Sequence, residues 1–420
     1  MQTTAVRLYG ENDIRLEKFE LPEVGRDNIL ARVISDSVCM STWKTVQQGS
    51  AHKRVPDTIN QSPVIIGHEL CGVIIEVGEK WQHKYKKGDK FAIQPVLDPN
   101  GSYDTIGYSF PTVGGDSEFI LLTDRIISCG CILPYSGNNF FGGSLAEPLS
   151  CIVGGFRAAY HNGKEEYTHE MGLKSNGNMA IIGGAGPMGL GAIDLALNGD
   201  KRPGLLVVTD INRERLERAE KLFSPAAAAQ KGITLHFINT KEGNAVCEMK
   251  KITENKGFDD ILCMAPVQNA IAMADELLAR DGCLNFFAGP LDQKFSASFN
   301  FYNVHYSSTH AVGTSGGTTN DLRIALKLLD EQRLHPEVMI THIGGLDAAV
   351  DTTLHLPDIP GGKKIIYPGI RMPLTAITDF GKLASKDLLF AKLATACEKN
   401  NNLWNSEAET LLLQHFDILK

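Results

Sequence analysis

The sequence predicts an α/β protein in which a β-rich domain precedes a doubly wound parallel sheet. Three observations predict it. Short β-branched segments separated by Gly, Pro and Asp turns fill the chain up to about residue 125. A glycine-rich turn then follows an apolar strand at Met179–Ile182. Apolar strands and helical stretches alternate from there to about residue 287, as βαβ units do.

Taken in order, the first strands are expected at Thr4–Leu8, Ile29–Ser35, Val64–Val77, Lys90–Pro95 and Glu118–Leu122. The Gly-, Pro- and Tyr-rich stretch Pro99–Gly115 reads as a long loop. A helix is expected over Ser144–Tyr160, followed by the strand Met179–Ile182, a helix at Gly191–Leu197 and the strand Leu205–Thr209. Helix, strand and helix continue at Arg213–Leu222, Phe258–Met264 and Ala270–Arg280, and Cys283–Phe287 closes the array. Short strands return from about 303 to 371, with one helix at Asn320–Glu331. After Pro373 the chain reads as amphipathic helices at Ile377–Leu383, Leu388–Glu398 and Glu407–Phe416, a packing or oligomer element. The expected boundaries are 1–155, 156–305, 306–371 and 372–420.

A chain of 420 residues with 43% apolar and 21% charged residues buries a sizeable core. Its formal charge of −8, without a basic block, argues against nucleic-acid and anionic-membrane partners. The N-terminus lacks the apolar core of a signal peptide, and no apolar run approaches the roughly 20 residues of a membrane span. Nine scattered cysteines fit reduced thiols, so the expectation is a cytoplasmic protein.

Gly184-x-Gly186-Pro187-Met188-Gly189 follows the strand and opens a helix, the context a dinucleotide turn requires. The first glycine permits the turn, the second lets a pyrophosphate approach, and the third lets helix pack on strand. Free N–H groups at the helix start then face the phosphates. Asp210, 26 positions after Gly184, ends the next strand, where a carboxylate binds ribose hydroxyls and repels a 2′-phosphate. NAD(H) is therefore preferred. Arg213 and Arg215 weaken that preference and leave NADP(H) open.

The metal candidates are Cys39, His68 and Glu147, with Glu69 beside the histidine. Thiolate, imidazole and carboxylate are zinc ligands, and a catalytic zinc takes three of them plus water. Val-Cys39-Met-Ser-Thr, Gly-His68-Glu69 with Gly72 and Val77-Gly78, and Ala-Glu147-Pro-Leu-Ser precede the glycine turn. This order resembles the zinc-dependent medium-chain dehydrogenase/reductase family, in particular its polyol branch, over about residues 1–370. The resemblance implies a GroES-like catalytic domain split by an inserted Rossmann NAD-binding domain, with a helical C-terminal extension added here. It implies Cys39, His68 and Glu147 as ligands, with Glu69 as a neighbouring or alternating one; whether Glu69 or Glu147 is the third resting ligand stays open. Ser41 matches the family position whose hydroxyl contacts the reacting oxygen. Two positions depart from the pattern. Thr42 stands where Asp often orients the site, and Lys44 replaces the outer relay histidine.

No cysteine lies in 94–128, so one catalytic zinc per subunit is expected and no structural zinc. The resemblance implies hydride transfer from NAD(P)H to a ketone polarised by zinc, with a proton arriving through Ser41 and, beyond it, Lys44 or a ribose hydroxyl. Longer matching stretches extend it to a sugar-phosphate substrate, and we expect a homo-oligomer. Lys44 and His52-Lys53-Arg54 are the cations available for a phosphate, and Lys363 and Lys364 are either pyrophosphate contacts or an exposed strand end. A general polyol or L-threonine-type dehydrogenase is the same-class alternative. A catalytically silent NAD(P)H-binding protein is the other, and the retained ligands argue against it. His161, His169, His305 and His310 fit no ligand spacing, and the remaining eight cysteines read as buried or inert thiols.

Overall fold

The computed structural model describes residues 1–97 and 103–418; residues 98–102, in and beside the expected long loop, lie outside them. The chain forms two compact units, Met1–Glu147 with Met339–Lys420, and Pro148–Val338. No helix among the described residues is long and apolar enough to cross a membrane.

The first unit is built on the strand Ile29–Ser37, which pairs antiparallel with Leu70–Val77, Phe119–Leu122 and Lys363–Tyr367. Its apolar residues, with Ile74, Phe91 and Ile120, form a closed core. The expected strand Val64–Val77 is broken. Val64–Ile65 pairs with Gln2–Gly10, while Leu70–Val77 pairs with Ile29–Ser37, so the chain changes sheet across Gly67-His68-Glu69. The helix Met40–Gln48 was not anticipated, because its polar sequence buries only Thr42, Thr45 and Val46.

The second unit carries a six-stranded parallel sheet in the order Thr234–Asn239, Leu205–Asp210, Asn178–Ile182, Phe258–Cys263, Leu278–Phe286, His310–Gly313. This is the doubly wound order with its crossover beside Asn178–Ile182. The unit runs to Val338 rather than ending at 305, because His310–Gly313 adds the sixth strand and Thr319–Asp330 follows as a capped helix. Its start at Pro148 falls inside one continuous helix, Phe141–Ala158.

The C-terminal helices Phe380–Leu383, Leu388–Glu398 and Ser406–His415 belong to the first unit. Trp404 is fully buried and donates Nε1–H to Tyr367 Oη at 2.8 Å, and Tyr367 donates to Glu409 at 2.8 Å. Glu409 also accepts the backbone N–H groups of Phe140 (2.6 Å) and Phe141 (2.9 Å). A carboxylate there satisfies N–H groups that the start of Phe141–Ala158 leaves without intrahelical partners, and it complements the helix dipole. Burial nevertheless pushes Glu409 up to about 7.

Glu409→Ala should cost about 2–3 kcal/mol in denaturant unfolding, since it orphans three buried donors. A folded value above the unfolded 4.5 means that this group's contribution is complete below about 4.5 and is lost as pH rises through about 7. Glu409→Gln should flatten stability over that window, and an unchanged pH profile would contradict the assignment.

Candidate metal and cofactor sites

Gly67 sets the geometry of the metal candidate. Its φ is +90°, and a Cβ there would lie 2.7 Å from both Asp116 N and Asp36 Oδ2, so only glycine makes this turn. The turn delivers His68 and Glu69 to Cys39, which caps the helix Met40–Gln48. The ligand atoms of Cys39, His68 and Glu69 all lie within 4.8 Å of one another.

Two neighbouring hydroxyls divide the His68 ring between them. Thr42 Oγ1 lies 3.2 Å from Nδ1 and Ser41 Oγ 3.2 Å from Nε2. With Nδ1–H donating to Thr42, the Nε2 lone pair points to the Ser41–Cys39 side. Thr42 thus orients the ring where the family often uses Asp. Ser41 donates to Cys39 Sγ at 3.0 Å and so touches both candidate ligands.

Behind them lies a buried ion pair. Lys363 Nζ donates to both oxygens of Glu69 at 2.6 Å, with the side chains only 5% and 1% exposed. Lys363 and Lys364 were expected at the pyrophosphate or an exposed strand end; both are turned inward. Lys364 donates to the carbonyls of Ile359, Pro360 and Gly362.

Burial, then the Glu69 charge, pushes the Cys39 thiol up to about 12. Burial pushes His68 down to about 4, so its imidazole is neutral. Burial opposes a charge on Lys363, but Glu69 outweighs that and raises it. A neutral imidazole and a thiol that ionises only beside a cation fit a zinc ion, which would drive the thiolate. Among the described residues, the group within 4.8 Å is Cys39, His68 and Glu69. Glu147, 8% exposed on Phe141–Ala158, is near enough that its charge acts on Lys363 and Tyr108. Lys44 is half-buried and lowered by that burial.

Tyr108 was missed in the sequence, because nothing but its Gly-Tyr context marks it within the loop. Its buried ring lies 5.1 Å from the His68 ring and 5.6 Å from His52, and Arg54 Cζ lies 5.4 Å from its centre. Gly107 (φ +81°) admits this contact, since a Cβ there would strike Gly67 O at 2.2 Å. Asp36, behind Gly67, is pushed well above the carboxylate range by burial and by Asp116 and Glu69.

In the second unit, Gly184 N–H donates to Thr209 O at 2.7 Å, and Pro187 opens the helix Pro187–Asn198. A Cβ on Gly189 would lie 2.1 Å from Gly184 O, so the third glycine lets the helix close on the turn. Asp210 accepts the N–H groups of Ala185 (3.1 Å) and Asn212 (3.0 Å) and is thereby tied to the glycine turn. Arg213 is held by Glu242 at 2.6 Å, which draws it away from a 2′-phosphate role, while Arg215 stays exposed. His161, Asp281 and His310 also cluster, but acceptors occupy the ring nitrogens: Asp281 O and Asp260 Oδ1 for His161, Ser308 O and Tyr160 O for His310. Cys129 and Cys247 are exposed rather than buried.

Family models of an alcohol dehydrogenase GroES-like domain and a zinc-binding dehydrogenase match residues 25–130 and 187–331. The chain is 49% identical over 418 residues to a mannitol-1-phosphate 5-dehydrogenase of Aliivibrio fischeri, covering 99% of each. It is 45% identical over 413 residues to an L-sorbose 1-phosphate reductase of Klebsiella pneumoniae, covering 98% of each. In fold it is similar to 2R,3R-butanediol dehydrogenase from Bacillus subtilis, with TM-score 0.71 and 20% identity over 87% of this chain and 99% of that one.

Lys363→Met should cost roughly 3–5 kcal/mol, because it leaves the Glu69 charge buried alone. Combining it with Glu69→Gln should recover much of that loss. Additive costs in chemical denaturation would mean that the pair is not coupled.

Proposed function

The chain belongs to the zinc-dependent medium-chain dehydrogenase family, and we propose that it transfers hydride between a nicotinamide cofactor and the ketone of a sugar phosphate. We take L-sorbose 1-phosphate and D-glucitol 6-phosphate as the reacting pair. The 45% identical L-sorbose 1-phosphate reductase supports this pair. The mannitol-1-phosphate relative keeps a second polyol phosphate in view. The observation that carries the reading is the convergence of Ser41 Oγ on Cys39 Sγ and His68 Nε2, at 3.0 and 3.2 Å.

Cys39, His68 and Glu147 would hold one zinc per subunit, with Glu69 kept back by Lys363. When bound, zinc supplies Lewis-acid polarisation of a carbonyl oxygen. Ser41 holds the proton that the reacting oxygen gains or gives up, and Lys44 stands at the outer end of that route. Thr42 keeps the proton on Nδ1 of His68, so Nε2 stays free to ligate. Tyr108 covers the ring and excludes water on that side. In the second unit the Gly184–Gly189 turn receives the cofactor pyrophosphate and Asp210 its adenosine ribose, which favours NAD(H). We place the protein in the cytoplasm as a homo-oligomer, with its nine cysteines as thiols.

The test is NADH oxidation with L-sorbose 1-phosphate beside free L-sorbose, and NAD reduction with mannitol 1-phosphate, before and after EDTA treatment. Turnover confined to phosphorylated compounds and lost with the metal is expected. Turnover of free sugars equally well would replace this reading with a general polyol dehydrogenase. Cys39→Ser should lose zinc by elemental analysis and at least about a thousandfold in kcat/KM. Its NADH affinity should stay within about twofold, and activity retained in the zinc-free variant would refute the site. Asp210→Ala should shift kcat/KM toward NADPH relative to NADH by about tenfold or more; an unmoved ratio would take the ribose contact away from Asp210.

A further inference from the structure

We infer that the Arg54 guanidinium and the His52 imidazole, braced on the Tyr108 ring, form the subsite for the substrate's phosphate monoester. This rests on the sugar-phosphate reading above and adds the residues that would recognise the phosphate.

Arg54 is a partly buried cation with no carboxylate partner among the described residues. Arg7, Arg213 and Arg371 are matched with Glu17, Glu242 and Glu118, and the partly buried Arg32 and Arg218 donate to the carbonyls of Ile418 and Val338. The contact the Arg54 guanidinium makes is with the face of Tyr108, at 5.4 Å. Stacking fixes the plane of the guanidinium and leaves its edge N–H groups to a ligand. A planar fork of donors matches two oxygens of a phosphate dianion, and the attraction is strongest where water is partly excluded.

His52 supplies a second donor. Its Nδ1 accepts the backbone N–H of Arg54 at 3.3 Å, which places the ring proton on Nε2. Burial, with Arg54 and Lys53, pushes His52 down to about 4, so the ring is a neutral donor throughout the physiological range. A neutral donor beside the guanidinium binds a phosphate oxygen without adding a second buried charge.

The position also suits the chemistry. Tyr108 touches His52, Arg54 and His68, so this unmatched charge sits one aromatic ring from a candidate metal ligand. Its field reaches both His68 and Tyr108. Lys44, the cation nearest Cys39 in sequence, already has a partner of its own. Lys53 is exposed, its ammonium 5.1 Å from the Tyr103 ring.

The experiment compares zinc-loaded wild type, Arg54→Ala, Arg54→Lys and His52→Leu on L-sorbose 1-phosphate and free L-sorbose, with inorganic phosphate as a calorimetric probe in the presence of NADH. Arg54→Ala should raise KM for the phosphorylated sugar at least about thirtyfold more than for the free one. Arg54→Lys should recover part of that difference, and His52→Leu should show a smaller effect of the same kind. Phosphate binding should be measurable in the wild type and lost in Arg54→Ala. Equal changes for both sugars, or phosphate affinity unmoved by Arg54→Ala, would overturn the subsite while leaving the sugar-phosphate reading standing. A wild type that turns over only free sugars and binds no phosphate would overturn both. Circular dichroism of Arg54→Lys provides a folded comparison should Arg54→Ala unfold.

Discussion

The ion pair between Glu69 and Lys363 is the constraint around which the first unit is arranged. It joins residues 294 positions apart, one on the turn after Gly67 and one on the returning strand Lys363–Tyr367. Two ions this deeply buried carry a desolvation cost that only close geometry offsets, and both oxygens at 2.6 Å supply that geometry. The pair also sets the local charge balance. Lys363 already balances the Glu69 charge, so the charge of a cation held by Cys39 and His68 would be compensated by the Cys39 thiolate.

Around that pair, small residues and hydroxyls do the orienting. Gly67 and Gly107 let two loops meet where a Cβ on either would collide with backbone. Thr42 and Ser41, adjacent at the start of one helix, face different nitrogens of one imidazole. Successive residues in a helix point about 100° apart, which is why neighbours can reach both nitrogens of a ring lying across the helix end. An aspartate at position 42 would bring a second negative charge to His68, on which the Glu69 charge already acts. A hydroxyl holds the same proton without that charge.

Motifs whose chemistry is local were legible in the sequence. The Gly184–Gly189 turn and Asp210 are fixed by steric rules acting over a few residues, and the structure ties them together through Ala185 N–H. Gly-His68-Glu69 was legible as a ligand cluster but not as a sheet crossing, since Val64–Val77 carries β-branched residues on both sides of the break. The helix Met40–Gln48 was hidden by a Ser-Thr-Trp-Lys-Thr sequence with weak helix preference and no side-chain cap. Lys363, Tyr108 and Glu409 were not legible, because their partners lie far away in sequence. Nothing in the GlyGlyLysLys stretch distinguishes a buried lysine from a solvated one.

The C-terminal extension has a place in this arrangement beyond covering apolar surface. Glu409 fastens the first turn of Phe141–Ala158 through two backbone N–H groups, and Tyr367 links that carboxylate to the strand that begins with Lys363. Glu147 lies less than two turns from the fastened end, directly before Pro148. Proline has no N–H to give the Ser144 carbonyl, so the helix is weakest just after Glu147. A carboxylate on the last residue before such a break needs its upstream turn held if its position is to be fixed. Glu409 holds that turn, and the Tyr367–Trp404 contacts hold Glu409. The tail therefore bears on the position of Glu147 through the helix that carries it.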